Sequence, residues 1–332
     1  MKSQKDTYKS IIVSYENDSF SCNYEKQKFR DLKKNEVLVK ISYSTINYKD
    51  ALSVVGLSKI IRTNRLVPGL DLSGVVIESN SNKFKVNDKV MASGSGLGEI
   101  SNGAFSEFVY ISDNRLFKIP QGLTLKSCMI IGTAGFSALL AIRKMLQNNQ
   151  RVDMGPILIT GSSGGVGNFT TIGLKSNGFK TICLTSKNSK TKYLKSLGAD
   201  KVCQLNDFSH SKSKLDKIEF GGVIDNIGGE FINTLLKKIN FSGNFVSVGM
   251  ANNIEFNSSV FPFIIRGVSI LGISSSNIDI KERKKIWSQV PLTFNRNKIK
   301  LIKTQEIKFS QIKSYCKKII SNKISGRVII KF

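Results

Sequence analysis

Residues 157–167 read ILITGSSGGVG, and their spacing is suited to holding a phosphate chain. A short apolar run, residues 157–160, meets glycines at 161, 164 and 167, and an amphipathic stretch follows from 168 to 175. Strand, tight glycine turn and helix, in that order, bring backbone N–H groups at a helix N-terminus against a diphosphate. The motif is weak alone, but here the strand and helix it requires flank it. The turn assigns Ser163, Gly164, Gly165 and Val166 to the diphosphate. The next apolar run, residues 181–186 (TICLTS), leads into Lys187, Asn188, Ser189 and Lys190. A free ribose 2′-hydroxyl is usually met by Asp or Glu about 20 residues beyond the glycines. No acid stands there. Ser186 beside Lys187, with Lys201 as a further candidate, suits a 2′-phosphate, so the spacing reads as a site for NADPH rather than NADH. The plainer alternative is that Lys187 is one more exposed lysine in a lysine-rich chain.

The elements that position these residues follow from periodicity. Residues 9–44 alternate and are rich in β-branched side chains, and further strands are expected at 74–78, 89–92 and 105–110. Residues 93–103 (SGSGLGEISNG) read as a mobile loop over a site. From about residue 128 the pattern changes. An apolar helix over 127–146 precedes strands at 157–160, 181–186, 201–205, 222–226 and 244–248, with helices near 166–176, 189–197, 229–238 and 259–266. Such alternation means a doubly wound parallel sheet with right-handed crossovers. Ser269–Gly272 is a candidate sixth strand, helical pattern returns at 279–294 and 310–321, and residues 326–332 read as a strand that must pair with the first domain. The expected domains are residues 1–127, mostly β; 128–268, the dinucleotide-binding domain; and 269–332, a return to the first. The expected fold class is α/β, and a cleft between two domains is the default site.

Composition narrows the classes. The chain has 332 residues, enough for two cores. Its first ten residues carry no apolar run, and its longest apolar stretch, residues 129–142, is 14 residues, too short to span a bilayer. A cytoplasmic protein is expected. The five cysteines are scattered without a C-x-x-C pair, which argues against a disulfide framework or a zinc site. The single histidine, His210, lies among Ser and Lys in an expected loop. The formal charge of +26 is spread along the whole chain, with no nucleic-acid-binding motif beside it. It reads as a lysine-rich surface that also attracts polyphosphate ligands, with no specific nucleic-acid or membrane partner.

The segments INYKDAL (46–52), PGLDLSG (68–74), MIIGTAGFSALLAI (129–142), ILITGSSGGVG (157–167), YLKSLGAD (193–200), GGVIDNIGG (221–229) and SGRVIIKF (325–332) together resemble the medium-chain dehydrogenase/reductase superfamily. Within it they are similar to the acrylyl-CoA reductase branch, whose members are often labelled quinone oxidoreductases. The resemblance implies a GroES-like catalytic domain built from both chain ends, an inserted Rossmann domain and a homodimer. It implies NADPH-dependent reduction of a carbon–carbon double bond conjugated to a thioester, acrylyl-CoA to propionyl-CoA. The cysteine, Gly-His-Glu motif and four-cysteine lobe of zinc-dependent members are absent here, so the zinc-free side is favoured. Two departures stand out. Ile100, Ser101 and Asn102 follow Gly98-Glu99 where the branch has His and Trp, and Thr185-Ser186-Lys187 replaces Ser-Gly-Arg.

Reduction of an enoyl thioester needs a hydride, a stabilised enolate oxygen and a proton. By resemblance Asn47 and Tyr48 meet the nicotinamide. A phenol holds its proton at neutral pH, so Tyr48 can orient the substrate and donate that proton; a packing role is the plain alternative. Asp50 is a third catalytic candidate, or it holds the loop or binds Lys49. Thr133 is placed near the nicotinamide and phosphates, or at a helix N-cap, and the two are compatible. Met250 approaches a ribose, Ser275 lines the nicotinamide end, and Ile264 and Asn322 complete the cofactor set. Arg327 holds the cofactor or the CoA phosphates, or forms a structural ion pair. Asp71 is expected to accept backbone N–H bonds and is structural. Three functions remain at this point: an enoyl-thioester reductase, a quinone reductase on the same scaffold, and an NADPH-binding protein without turnover.

Overall fold

Between residues 134 and 275 the alternation of apolar strands and amphipathic helices is realised in a computed structural model as a parallel sheet. The structure describes residues 6–17, 19–208 and 213–332; His210 lies outside them. Internal contacts divide the chain into two units. One is Met1–Thr133 with Ser276–Pro291 and Lys303–Phe332, the other Ala134–Ser275 with Leu292–Ile302.

In chain order the first unit holds β1 (Thr7–Glu16), β2 (Ser19–Lys28), β3 (Glu36–Thr45), α1 (Tyr48–Val55), β4 (Arg65–Leu66), β5 (Asp71–Ser79), β6 (Lys89–Ser93), β7 (Phe108–Ser112) and β8 (Phe117–Lys118). Helix α2 (Leu125–Gln147) carries the chain into the second unit. There follow β9 (Ile157–Ile159), α3 (Gly165–Ser176), β10 (Thr181–Leu184), α4 (Thr191–Ser196), β11 (Lys201–Cys203), β12 (Phe220–Asp225), α5 (Phe231–Leu236), β13 (Ile239–Ser247), α6 (Phe261–Arg266) and β14 (Ser269–Gly272). The tail holds α7 (Ile280–Thr293), α8 (Arg296–Leu301), β15 (Thr304–Lys308), α9 (Ile312–Ile320) and β16 (Arg327–Lys331).

The second unit's sheet runs β11-β10-β9-β12-β13-β14, and every pairing in it is parallel. This is the doubly wound order, in which the sheet is built outward in both directions from its first strand. All six residues of β12 are buried, as a central strand covered on both faces demands. Its core includes Leu158, Leu184, Val223, Leu235, Leu236 and Phe245. Burying each such side chain contributes on the order of 1.5–3 kcal/mol. β14 belongs to this sheet, so residues 269–275 stay with the second unit, as do Leu292–Ile302.

The first unit's larger sheet runs β15-β16-β3-β5-β6-β8, with β7 also on β3. β16 pairs antiparallel with β3, which ties the chain's end to its beginning, as its lone apolar pattern requires. Its second partner, β15, is polar and exposed at its end, and its sequence gives no period-2 signal. A smaller sheet, β2-β1-β4, buries Ile11, Ile12 and Val13 with Ala51 and Val54 of α1 and Ile312 and Cys316 of α9.

Two expectations are corrected here. Residues 93–103 are a folded turn rather than a free loop. Gly98 donates its N–H to the Ser101 carbonyl (2.8 Å), Gly103 donates to the Val67 carbonyl (2.7 Å), and Leu97 is buried in the core. The apolar helix expected over 127–146 extends slightly at both ends, and its length changes what its composition allows. α2 has 23, long and apolar enough to cross a membrane, yet 67% of its most apolar window is buried within the protein. It is interrupted at Gly132, whose φ of 49° and ψ of −156° are far from helical.

Candidate active site

The glycine turn forms at the carboxyl end of β9. Gly161 takes φ +58°, a left-handed conformation open to glycine at little steric cost. A Cβ on Gly167 would stand 2.5 Å from Ser162 Cα, so only glycine lets α3 pack this close to the turn. Gly164 is the N-cap of α3, and a Cβ there would meet only the Gly161 carbonyl oxygen, at 3.3 Å. The first N–H groups of α3 have no intrahelical acceptor and define an anion site. These are the backbone groups that the diphosphate of a dinucleotide needs, so the turn fits the cofactor the sequence implied.

Beyond β10, the chain supplies the neighbouring groups. Thr185 Oγ1 donates to Ser163 Oγ (3.3 Å) and accepts the Lys187 N–H (3.2 Å), fixing Ser186 and Lys187 beside the turn. Lys187 is half-buried. Desolvation, then the charge of Lys190, lower the pKa of its ammonium group. Met250, 64% exposed, follows β13, and Ser275 follows β14. Ser163, Gly164, Gly165, Val166, Ser186, Lys187, Met250 and Ser275 therefore gather along the carboxyl edge of one sheet, where open parallel sheets bind ligands.

Lys201 does not. It opens β11 opposite Ile182, whereas Ser186 lies beyond the other end of β10. At about 3.3 Å per residue, that is about 13 Å along the sheet. The assignment of Lys201 to a 2′-phosphate pocket is therefore withdrawn. Ile264 sits on α6, 74% exposed, in the connection from β13 to β14.

The first unit, taken by itself, holds a buried polar network. Asn47 precedes α1, and its backbone N–H donates to Asp50 Oδ2 (2.8 Å). Asp50 Oδ1 accepts the Leu70 N–H (3.0 Å). Asn47 Nδ2 donates to Asp71 Oδ2 (2.7 Å) and to Asp50 Oδ2 (3.2 Å), while its Oδ1 accepts from Arg327 Nη1 (3.2 Å). Both Asn47 and Asp50 are buried, with these polar atoms committed to one another. These bonds fix the start of α1, which is the loop-holding role open to Asp50. Desolvation first, then the charge of Asp71, push the Asp50 carboxyl up to about 7. Lys49 pairs with Glu99 (2.6 Å), not with Asp50. Tyr48, the first residue of α1, is 38% exposed.

Thr133 resumes α2 after the Gly132 break. Its N–H donates to Asp71 Oδ2 (2.9 Å) and its hydroxyl to Asp71 Oδ1 (2.7 Å). Asp71 is thus structural, as its place after a glycine turn implied. Arg327, 3% exposed, donates to Ile130 O (2.9 Å), Thr45 Oγ1 (2.7 Å) and Asn47 Oδ1. Burial lowers its pKa to about 10, against the charges of Asp71 and Asp50 that hold it up. Its guanidinium is held by three internal oxygens, one carbonyl and two side-chain acceptors. Asn322 takes φ +55° just after α9, its N–H bonded to the Ile319 carbonyl (3.0 Å). That is a left-handed turn position suited to Asn, and it accounts for this residue without a ligand.

Sequence reasoning missed Thr160 and Asp225. Thr160 Oγ1 donates to Asp225 Oδ1 (2.6 Å), and Asp225 Oδ2 accepts the Gly228 N–H (2.8 Å). The signal was present in IDNIGG, an acid and an Asn before paired glycines at a strand end.

Residues 33–121 match the alcohol dehydrogenase GroES-like domain, and residues 165–290 the zinc-binding dehydrogenase domain. Acrylyl-CoA reductase AcuI of Ruegeria pomeroyi is 30% identical over 326 residues, 97% of this chain and 98% of that protein. The yhdH oxidoreductase from Salmonella enterica, solved in complex with NADP, has a TM-score of 0.90 at 29% identity, over 98% of this chain and 99% of that one. Bacillus subtilis protein yhfP, solved with NAD bound, has a TM-score of 0.90 at 32% identity, over 99% and 100%. The fold and the glycine turn define a nicotinamide-dependent oxidoreductase. The chain belongs to the medium-chain dehydrogenase/reductase superfamily, in its acrylyl-CoA reductase-like branch.

Proposed function

We propose that the protein reduces the conjugated double bond of a short enoyl thioester of the acrylyl-CoA class, using NADPH and no zinc. The observation that carries the reading is the full-length similarity to an acrylyl-CoA reductase combined with Lys187, not an acid, beyond β10. The preference for NADPH over NADH rests on Lys187, since relatives of comparable similarity were solved with either dinucleotide. The zinc-independent reading rests on the residue types that zinc-dependent relatives carry and this sequence lacks.

The dinucleotide, when bound, supplies the hydride. The chain's residues do the rest. The first N–H groups of α3 hold the diphosphate, and the Lys187 ammonium neutralises a 2′-phosphate. Asn47, Asp50 and Asp71 fix the entry to α1, so that Tyr48 is held at a helix start rather than on a loose loop. The Tyr48 hydroxyl donates a hydrogen bond to the thioester oxygen as it becomes an enolate, or delivers the proton to Cα. The chain works as a homodimer in this reading. Among the described residues no strand pairs with the outer edge of β14, and Ile270, Val260 and Ile265 nearby are exposed.

The test follows NADPH absorbance with acrylyl-CoA, crotonyl-CoA and a simple quinone. Preference for acrylyl-CoA, with NADH much poorer, is expected. Turnover of the quinone alone moves the enzyme to quinone reduction. Dinucleotide binding without turnover on any of the three identifies a non-catalytic relative.

A further inference from the structure

We infer that Asn226 is a cofactor-binding residue, its amide oxygen accepting a hydrogen bond from a hydroxyl of the ribose on the nicotinamide half of the dinucleotide. The inference rests on the dinucleotide reading above and adds a residue to it.

Three observations meet at this position. The first is place. β9 and β12 are neighbours in the sheet, with Ile159 opposite Ile224, and from them the sheet is extended in opposite directions. The crevice of an open parallel sheet lies at the carboxyl ends of such a strand pair. Gly161 stands just past one strand and Asn226 just past the other. A Cβ built on Gly161 would be 3.4 Å from Asn226 Cβ, so the Asn226 side chain flanks the glycine turn itself.

The second is orientation. Asn226 Nδ2 donates to the Thr160 carbonyl oxygen (2.8 Å), a group that can only accept. The amide is therefore fixed with its nitrogen on Thr160 and its oxygen turned away. The backbone beneath it is held as firmly. Asn226 N–H donates to Thr160 Oγ1 (2.8 Å), and a Cβ on Gly249 would stand 2.4 Å from the Asn226 carbonyl oxygen.

The third is an unmet need. Asn226 Oδ1 is buried and accepts no hydrogen bond from the protein. A buried acceptor without a donor costs stability and calls for an explanation, and at the edge of the glycine turn a ligand hydroxyl supplies one.

Chemistry then selects the donor. A diphosphate offers only acceptors and does not satisfy an amide oxygen. The adenosine half belongs with Ser186 and Lys187 past β10, on the other side of β9. The nicotinamide-side ribose is joined directly to the diphosphate that Gly161 helps to seat, and its hydroxyls are donors.

The experiment is isothermal titration of the full-length protein with NADPH and, separately, with 2′,5′-ADP, which carries the adenosine half alone. Asn226→Ala is expected to weaken NADPH about tenfold, the size of one hydrogen bond, and to leave 2′,5′-ADP within about twofold. Unchanged NADPH affinity overturns the inference. So does an equal loss for both ligands, since that marks a collapsed turn. If the alanine variant does not fold, Asn226→Ser replaces it. Its hydroxyl still reaches toward the Thr160 carbonyl but falls short of the amide oxygen's position, so the same selective loss is expected. Wild-type affinity for NADPH, or matched losses, again overturns the inference. Wild-type protein that binds neither NADPH nor NADH overturns the dinucleotide reading instead.

Discussion

Asp71 and Arg327 divide a single break in helix α2 between them. The Asp71 carboxylate takes the N–H and hydroxyl of Thr133, at the N-terminus of the resumed helix. Arg327 donates to the Ile130 carbonyl, at the C-terminus of the interrupted one. Each charge therefore sits at the helix end whose dipole it complements. Gly132 makes this arrangement possible. A Cβ there would come within 2.9 Å of both Asp71 Oδ2 and Arg327 Nη2. The same pair grips Asn47 from both ends of its amide, so the helix break and the start of α1 are held by one network.

Asp71→Ala is expected to destabilise the protein by about 3–5 kcal/mol, because it strips the buried acceptor from the Thr133 N–H and hydroxyl and from the Asn47 amide, and removes a charge that favours the buried Arg327 guanidinium. Thr133→Val, which removes only a hydroxyl from the network, should cost about 1 kcal/mol. Urea unfolding of the two variants checks this. Equal and small losses for both would show that Asp71 carries no such burden.

The raised Asp50 carboxyl predicts a pH dependence of stability. In the unfolded chain an Asp titrates near 3.9, whereas in the native protein Asp50 titrates at about 7. Between those values the native state holds the extra proton, so the contribution is complete below the lower value and is lost as pH rises to the upper one. Asp50→Asn should flatten the fall in stability between about pH 4 and 7 relative to wild type. Unfolding midpoints across a pH series read this directly, and parallel curves for the two proteins count against it.

The glycines of the turn separate by substitution. Gly167→Ala drives a Cβ into the backbone at Ser162 and should cost about 1–3 kcal/mol as well as dinucleotide binding. Gly164→Ala meets only one atom, at 3.3 Å, and should leave the melting temperature nearly unchanged while weakening the dinucleotide. Thermal melts with and without NADPH distinguish the two. Normal binding by the Gly164 variant would argue that the diphosphate lies elsewhere.

Lys187→Ala should raise KM for NADPH about tenfold and leave that for NADH nearly unchanged, the loss of one charge-assisted contact. Steady-state kinetics with both dinucleotides decide it. Equal changes would remove the 2′-phosphate assignment.

Tyr48→Phe should lower kcat about 10²-fold with little change in KM, the lower range for a general acid. Full turnover by this variant would return Tyr48 to a packing role.

What the sequence by itself determined is the part written in local patterns. Strand, glycines and helix at 157–176, the apolar runs of the parallel sheet, and Lys187 in place of an acid are all legible within short windows. Backbone conformation and period fix them, and neighbours in sequence are neighbours in space. Segments whose order comes from elsewhere were not legible. α1 is eight residues inside a β-rich stretch, and it is held by Asp50, Asp71 and packing against α9. Residues 93–103 looked mobile because they are glycine-rich, yet their order comes from contacts with distant segments around Val67 and Gly69. Lys201 followed the right strands in sequence but opens β11, and only strand direction places it at the wrong edge. Resemblance placed Asn47 at the nicotinamide, while Asp50 and Arg327 were each open to a ligand-facing or an internal role. Only the tertiary structure decided that they face one another, since burial turns a charge that could have met a ligand into one that must be neutralised from within.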